Sequence, residues 1–205
     1  MLEEIGRQAE EMNADLVVLG ARGSGFMRHV ALGTTAERLL RKSKHPMLVV
    51  KQRAHEPYRR VLAAVDFSQW SAPLIGLARR VAPGAHLVLL HAYEGPFERM
   101  LQFASVDEAT IAHYRLQARQ EATQQIHALV ASAGLEAAHR TPCIRHGEAS
   151  LAVVEQEQEQ EQDCNLIIIG KHGRNMAEEL LLGSVTKHVL AESAGDVLVS
   201  TERRA

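Results

Sequence analysis

Apolar residues in this chain gather into short unbroken runs, separated by longer stretches in which they recur at helical spacing. The run Arg60-Val61-Leu62-Ala63-Ala64-Val65-Asp66 stops at a carboxylate, and His86-Leu87-Val88-Leu89-Leu90-His91 is apolar almost throughout. Two further runs cover 166–169 and 197–200. Runs this short that do not alternate with polar residues suit strands buried on both faces. Between them the spacing predicts a helix over 71–81, ended by Pro83-Gly84. Ser105-x-x-Glu108 has the form of a capping box. It would head a long helix through Ile111, Leu116, Ile126, Leu129 and Val130, closed by Gly134. A weaker strand is expected around 138–145, then a helix from about Ala149 and another after Gly183. Alternating β and α elements predict an α/β fold, a parallel sheet with helices on both faces.

The N-terminal part repeats the C-terminal part. Leu16-Val17-Val18-Leu19-Gly20, then Gly23 and Gly33-Thr34, is matched by Leu166-Ile167-Ile168-Ile169-Gly170, then Gly173 and Gly183-Ser184. The offsets 170 − 20, 173 − 23 and 183 − 33 all equal 150. That period is far beyond the roughly 20–50 residues of solenoid repeats and points to duplicated domains. The second copy is complete, beginning at its strand near residue 60, which lies 110 residues before its glycine (170 − 60). The first copy has no such room before Gly20. The expected organisation is therefore the C-terminal half of a first domain over 1–52, a linker over 53–57, and a complete domain over 58–203. A fragment of a longer tandem protein, or a mis-called start, is expected over a native half-domain. The last strand of each copy, 47–50 and 197–200, is apolar and lies at a sheet edge, and unprotected edges seek partners. The two are expected to pair inside the chain, with dimerisation through the broken first domain as a further expectation.

Composition narrows the function classes. Hydrophobic residues make up 46% and charged residues 23%, ordinary for a globular chain. With 23 Lys plus Arg against 25 Asp plus Glu, no basic excess suggests a nucleic-acid partner. No apolar run approaches the roughly 20 residues of a membrane span. No signal-peptide pattern follows the acidic start Met1-Leu2-Glu3-Glu4, so a cytoplasmic location is expected. The two cysteines, Cys143 and Cys164, are expected to be free thiols. The 11 histidines show no metal-ligand spacing, and no metal site or catalytic residue is assigned. The tract Glu155-Gln156-Glu157-Gln158-Glu159-Gln160-Glu161-Gln162 reads as a solvated extension of a helix, with an acidic docking surface as the alternative. Trp70 reads as helix packing, and His172 and His188 as bystanders.

Chemistry concentrates in Gly170-x2-Gly173-x9-Gly183-Ser184, between a buried strand and a helix. Open α/β sheets bind ligands at the carboxyl ends of their strands. Glycines let an anion approach the backbone, and a helix start offers unpaired N–H groups to phosphate. The spacing is neither a Walker A loop nor a dinucleotide fingerprint, since Arg28 stands where the first copy's third glycine would be. Arg22, Arg28, Lys171 and Arg174 put positive charge beside the two glycine loops and read as phosphate attraction.

With this motif present twice, Val65-Asp66-Phe67-Ser68 after the first strand and Leu89-Leu90-His91-Ala92 after the second, the sequence resembles the universal stress protein family. The resemblance implies an open five-stranded parallel sheet in the order 3-2-1-4-5 with helices on both faces, plus the C-terminal half of a second such domain. It also implies an adenine nucleotide (ATP, ADP or AMP, with Mg²⁺ as an option) held across strands one and four. By position, Asp66 beside Val65 would meet the ribose, while Ala64, Ala92 and the Ile169 backbone would line the adenine. Gly170, Gly173, Gly183, Ser184 and Val185 would take the phosphates, with Arg174 beside them. The resemblance implies pairing through strand five as well. The incomplete first copy, with Gly20, Gly23, Gly33 and Thr34, is expected not to bind nucleotide alone. A regulatory, stress-response nucleotide-binding module is thus the leading expectation, with a slow ATPase or a nucleotide-independent dimeric scaffold as alternatives.

Overall fold

The computed structural model describes residues 2–21, 34–53, 56–95, 107–159, 164–173 and 181–201. The elements run α1 (Leu2–Glu11), β1 (Val17–Gly20), α2 (Thr34–Lys42), β2 (Met47–Val50), β3 (Arg60–Ala64), α3 (Ser71–Val81) and β4 (His86–Tyr93). They continue with α4 (Glu108–Ser132), a short 3₁₀ turn, β5 (Arg140–His146), α5 (Ala149–Gln158), β6 (Leu166–Gly170), α6 (Ser184–Glu192) and β7 (Asp196–Ser200). No helix among the described residues is long and apolar enough to cross a membrane.

The seven strands among the described residues form one sheet, in the order β1-β2-β7-β6-β3-β4-β5. From β5 to β7 the neighbours are parallel and follow the expected 3-2-1-4-5 order. The N-terminal strands extend that sheet through β2, which pairs with β7 as expected for the last strands of the two copies. The join is antiparallel, with Met47 opposite Val199, Leu48 opposite Leu198 and Val49 opposite Val197. Backbone groups that would otherwise be an exposed edge on β7 are paired there.

The inner strands β2, β3, β4, β6 and β7 are largely apolar on both sides, and helices cover both faces there. Leu62, Val88, Ile167, Val197 and Val49 point to the face packed by Leu40 of α2, Val153 of α5 and Leu190 of α6. Their neighbours Val61, Ala63, Leu89, Ile168 and Leu198 meet Leu74 and Ile75 of α3 and Ile126 and Val130 of α4. Burying a side chain of this size contributes about 1.5–3 kcal/mol before entropy is counted.

Three expectations need correction. Helix α4 is capped by Asp107, whose carboxylate accepts from the Thr110 amide, so Glu108 is the first helical residue and not the third. Ser105 lies outside the described residues. The glutamate–glutamine tract is not wholly a solvated surface: Gln156 is 2% exposed and Glu157 6%. Gln156 Oε1 accepts from Arg145 and from the Cys143 thiol. Glu157 accepts from the amides of Gly195 (2.6 Å) and Ala194 (3.2 Å), fixing the turn into β7. Lastly, the Lys171 ammonium, expected to attract phosphate, is bound to carbonyls at the end of α2.

Polar contacts hold the seam at its lower end. Asp196 is buried and its Oδ1 accepts from the amides of Lys51 (2.7 Å) and Gln52 (3.0 Å), while its Oδ2 accepts from the Tyr58 hydroxyl. The Lys51 ammonium donates to the carbonyl and the hydroxyl of Ser193, both at 2.7 Å. Burial pushes that ammonium down to about 8, against the attraction of Glu157, Asp196 and Glu192. Burial and the bond to Asp196 push the Tyr58 phenol up.

Candidate functional site

A cleft of about 310 Å³ opens at the carboxyl ends of β3, β4, β6 and β7. The strand order reverses here, with β3 flanked by β6 on one side and β4 on the other, and such switch points are where open α/β sheets bind ligands. Its volume lies at the lower end of the roughly 300–1,000 Å³ usual for small-molecule sites. Ala64, Val65, Asp66, Ala92, Ile169, Gly170, Gly173, Gly183, Ser184 and Val185 all line it. Sequence reasoning thus chose residues that the fold brings together. Arg174 lies outside the described residues, as do Arg22, Gly23, Arg28 and Gly33 of the first copy.

Local geometry gives these residues different work. Asp66 Oδ1 accepts from the Ser68 amide (3.0 Å) and the Ser71 hydroxyl (3.2 Å), steadying the entry to α3. Asp66 therefore braces the turn before α3 without capping the helix, whose N-cap Trp70 has no side-chain cap. Val65 donates its amide to Leu90, and its carbonyl accepts from His91 Nδ1 at 2.8 Å. His91 also packs on Phe67, with ring centroids 4.0 Å apart. Phe67 has φ of 60°, a left-handed conformation rare for a side chain of its bulk, placed where the chain leaves β3 for the cleft wall.

The glycines divide in the same way. A Cβ on Gly170 would stand 3.0 Å from the His172 carbonyl, and one on Gly183 would stand 3.3 Å from the Lys171 carbonyl. The Gly183 amide donates to that same carbonyl at 3.0 Å, so it is not offered to a ligand. At both positions a side chain would crowd a carbonyl of the loop, which would have to give by a few tenths of an ångström. Gly173 differs: a Cβ there would meet no atom of the described residues within 4 Å, so none of them accounts for its lack of a side chain. In the same cleft α6 begins without a side-chain cap, and Ser184 and Val185 of its first turn, where a helix leaves amides unpaired, are among the lining residues. Thr186, next in that turn, is turned inward and donates to the Gly170 carbonyl at 2.7 Å.

Several wall residues escaped the sequence reading. Trp70 lines the cleft instead of serving only as helix packing. Ala149 and Val153 face it from the first turns of α5, where Glu148 caps the helix by accepting from the Ser150 and Leu151 amides. Burial opposes ionisation of Glu148, yet those hydrogen bonds hold its carboxyl below the usual range. A signal was present: two small or apolar residues four apart, directly after a capping acid. Ser200 lines the cleft from the end of β7.

The universal stress protein family model matches residues 2–51 and 57–200. A universal stress protein of Mycobacterium tuberculosis is 28% identical over 199 residues, covering 90% of this chain and 58% of its own length. The chain thus spans little more than half of that curated relative. A solved universal stress protein structure from Pseudomonas aeruginosa superposes with a TM-score of 0.72 at 20% identity, covering 98% of this chain and 68% of that one. One from Archaeoglobus fulgidus gives 0.67 at 23% identity, covering 98% and 66%. These likenesses concern the fold, whereas the family match takes in both glycine loops and nearly every described element; the chain belongs to the universal stress protein family.

Proposed function

We propose that the cleft binds an adenine nucleotide and that the chain acts as a nucleotide-dependent regulatory module. The observation that carries this reading is Gly173, where an added Cβ would meet no atom of the described residues, in one cleft with a helix start that has no side-chain cap. Phosphate oxygens suit that place, since N–H groups point at them and the helix dipole favours negative charge. Apolar walls from Ala64, Ala92, Val153 and Ile169 suit a purine on the other side. Three or four charge-assisted hydrogen bonds of about 1.5–3 kcal/mol each, less desolvation, are consistent with micromolar affinity, roughly 8 kcal/mol.

The reading is one of binding, with the division into a half-domain over 1–52 and a complete domain over 58–203 as its framework. Asp66 serves α3 in the structure, which favours a structural carboxylate over a general base. Because Trp70 is the single tryptophan and lines the cleft, its emission reports occupancy directly. Titration with Mg-ATP, ADP and AMP should change that emission and saturate at micromolar ligand. Flat emission together with no heat in a calorimetric titration of all three would reject the reading in favour of a scaffold.

A further inference from the structure

Lys171 lines the cleft as part of the glycine loop, yet its ammonium is bound at the end of α2. Its ammonium donates to the Arg41 carbonyl at 2.7 Å and the Ser43 carbonyl at 3.3 Å, and the residue is 7% exposed. Those carbonyls belong to the end of α2, where helical bonding leaves acceptors over and the dipole is negative. The same residue's main chain builds the loop. Its amide donates to the Ser200 carbonyl at 2.8 Å, and its carbonyl accepts from the Gly183 amide at 3.0 Å. Gly183 immediately precedes α6, so the place of that helix's first amides is set through Lys171.

The opposite end of the seam provides the comparison. There Lys51, from the N-terminal segment, donates to the Ser193 carbonyl after α6. By the repeat offset, Ser193 corresponds to Ser43 and Thr201 to Lys51 (193 − 43 and 201 − 51 both equal 150). Each end of the seam therefore has a serine carbonyl just past a helix, and each receives an ammonium. At the upper end the corresponding residue, Thr201, has only a short hydroxyl, which donates to the Lys44 carbonyl at 2.9 Å. The ammonium comes instead from the cleft loop.

We infer that Lys171 is a positioning residue that couples ligand binding in the cleft to docking of the N-terminal segment on β7. With α2 docked, the side chain is anchored and the loop from Gly170 to Gly173 is held. With α2 displaced, the anchor is lost and the loop must be ordered at the ligand's expense. The inference rests on the nucleotide reading of the cleft. Coupling between two equilibria is reciprocal, so ligand must in turn tighten the seam.

The test uses the full chain, Mg-ATP as probe and Trp70 emission as readout. K171M removes the charge at similar length, and K171Q, which keeps a donor, replaces it if K171M does not fold. K51M loosens the seam at its far end without touching a cleft residue. K171M should weaken binding on the order of 10-fold, within the span typical of coupled sites. K51M should weaken binding in the wild-type background and have no further effect alongside K171M. Amide exchange across 47–50 should slow with ligand in wild type and stay unchanged in K171M. A merely structural Lys171 would lower the melting temperature, but K51M would act equally in both backgrounds. That result, or ligand protection of 47–50 persisting in K171M, overturns the inference while leaving the nucleotide reading intact. Failure of wild type to bind ATP, ADP or AMP overturns both.

Discussion

Replacing Glu157 by alanine removes the acceptor for two main-chain donors in the turn before β7, Gly195 at 2.6 Å and Ala194 at 3.2 Å. A hydrogen bond to a charged group contributes about 1.5–3 kcal/mol, and an orphaned buried donor costs about 1–3 kcal/mol. Ala194 is exposed, so water takes over its amide, whereas Gly195 is buried and its amide is left without a partner. Losing the carboxylate also relieves its own burial, which offsets part of the cost. The expected loss for E157A is about 2–4 kcal/mol. E157Q keeps an oxygen for Gly195 but turns an NH₂ toward Ala194, and should lose about 1–2 kcal/mol. E155A, at an exposed position of the same helix, should stay within about 0.5 kcal/mol. Urea unfolding of the four proteins at one pH, followed by circular dichroism, gives the ranking. The reasoning is refuted if E157A matches E155A, or if E157Q is more stable than wild type and the carboxylate is therefore buried at a net cost.

Other outcomes follow from the same structure. G173A should unfold at the wild-type urea midpoint, because an added Cβ meets no atom of the described residues, and Mg-ATP should bind more weakly in the order wild type, G173A, G173V; equal affinities would show that no ligand approaches there. G195A should destabilise, since its Cβ would lie 2.8 Å from Glu157 Oε1 and 3.2 Å from the Asn165 carbonyl; an unchanged midpoint would show that Glu157 swings clear. Lys51 is pushed down to about 8 from its ordinary 10.5, so the unfolded chain binds more protons in that window and stability rises with pH. Tyr58 opposes this above its ordinary 10.0, because the folded phenol stays protonated. Urea midpoints should therefore rise from pH 8 to pH 10 in wild type by more than in K51M; parallel profiles would contradict the burial of Lys51.

Elements and their order were legible in the sequence wherever burial on both faces left unbroken apolar runs. Leu62, Leu89, Ile167 and Leu198 are such positions, each packed by a helix on one side or the other. The glycine loop was legible because its spacing recurs with its flanking strands. What composition could not show was direction. Lys171 looked like a phosphate ligand by neighbourhood, but a long side chain beside a seam can satisfy carbonyls on another helix. Glu157 and Gln156 looked solvated because their tract is repetitive. Their burial depends on which face of α5 meets β5 and the turn before β7. Trp70 was read as packing because nothing local distinguishes an indole facing a core from one facing a cleft. The seam itself was anticipated from edge physics, yet its polar clasps from Lys51, Asp196 and Tyr58 join residues about 140 positions apart, which no local pattern reveals.

The most direct measurement is native mass spectrometry of freshly purified wild type and G173V, with extraction and chromatography of any retained nucleotide. An adenine nucleotide at one per chain in wild type, absent from a G173V that is folded, is the expected result. Nucleotide retained equally by both, or a wild type that carries none and takes up none from Mg-ATP, would contradict the assignment of the cleft.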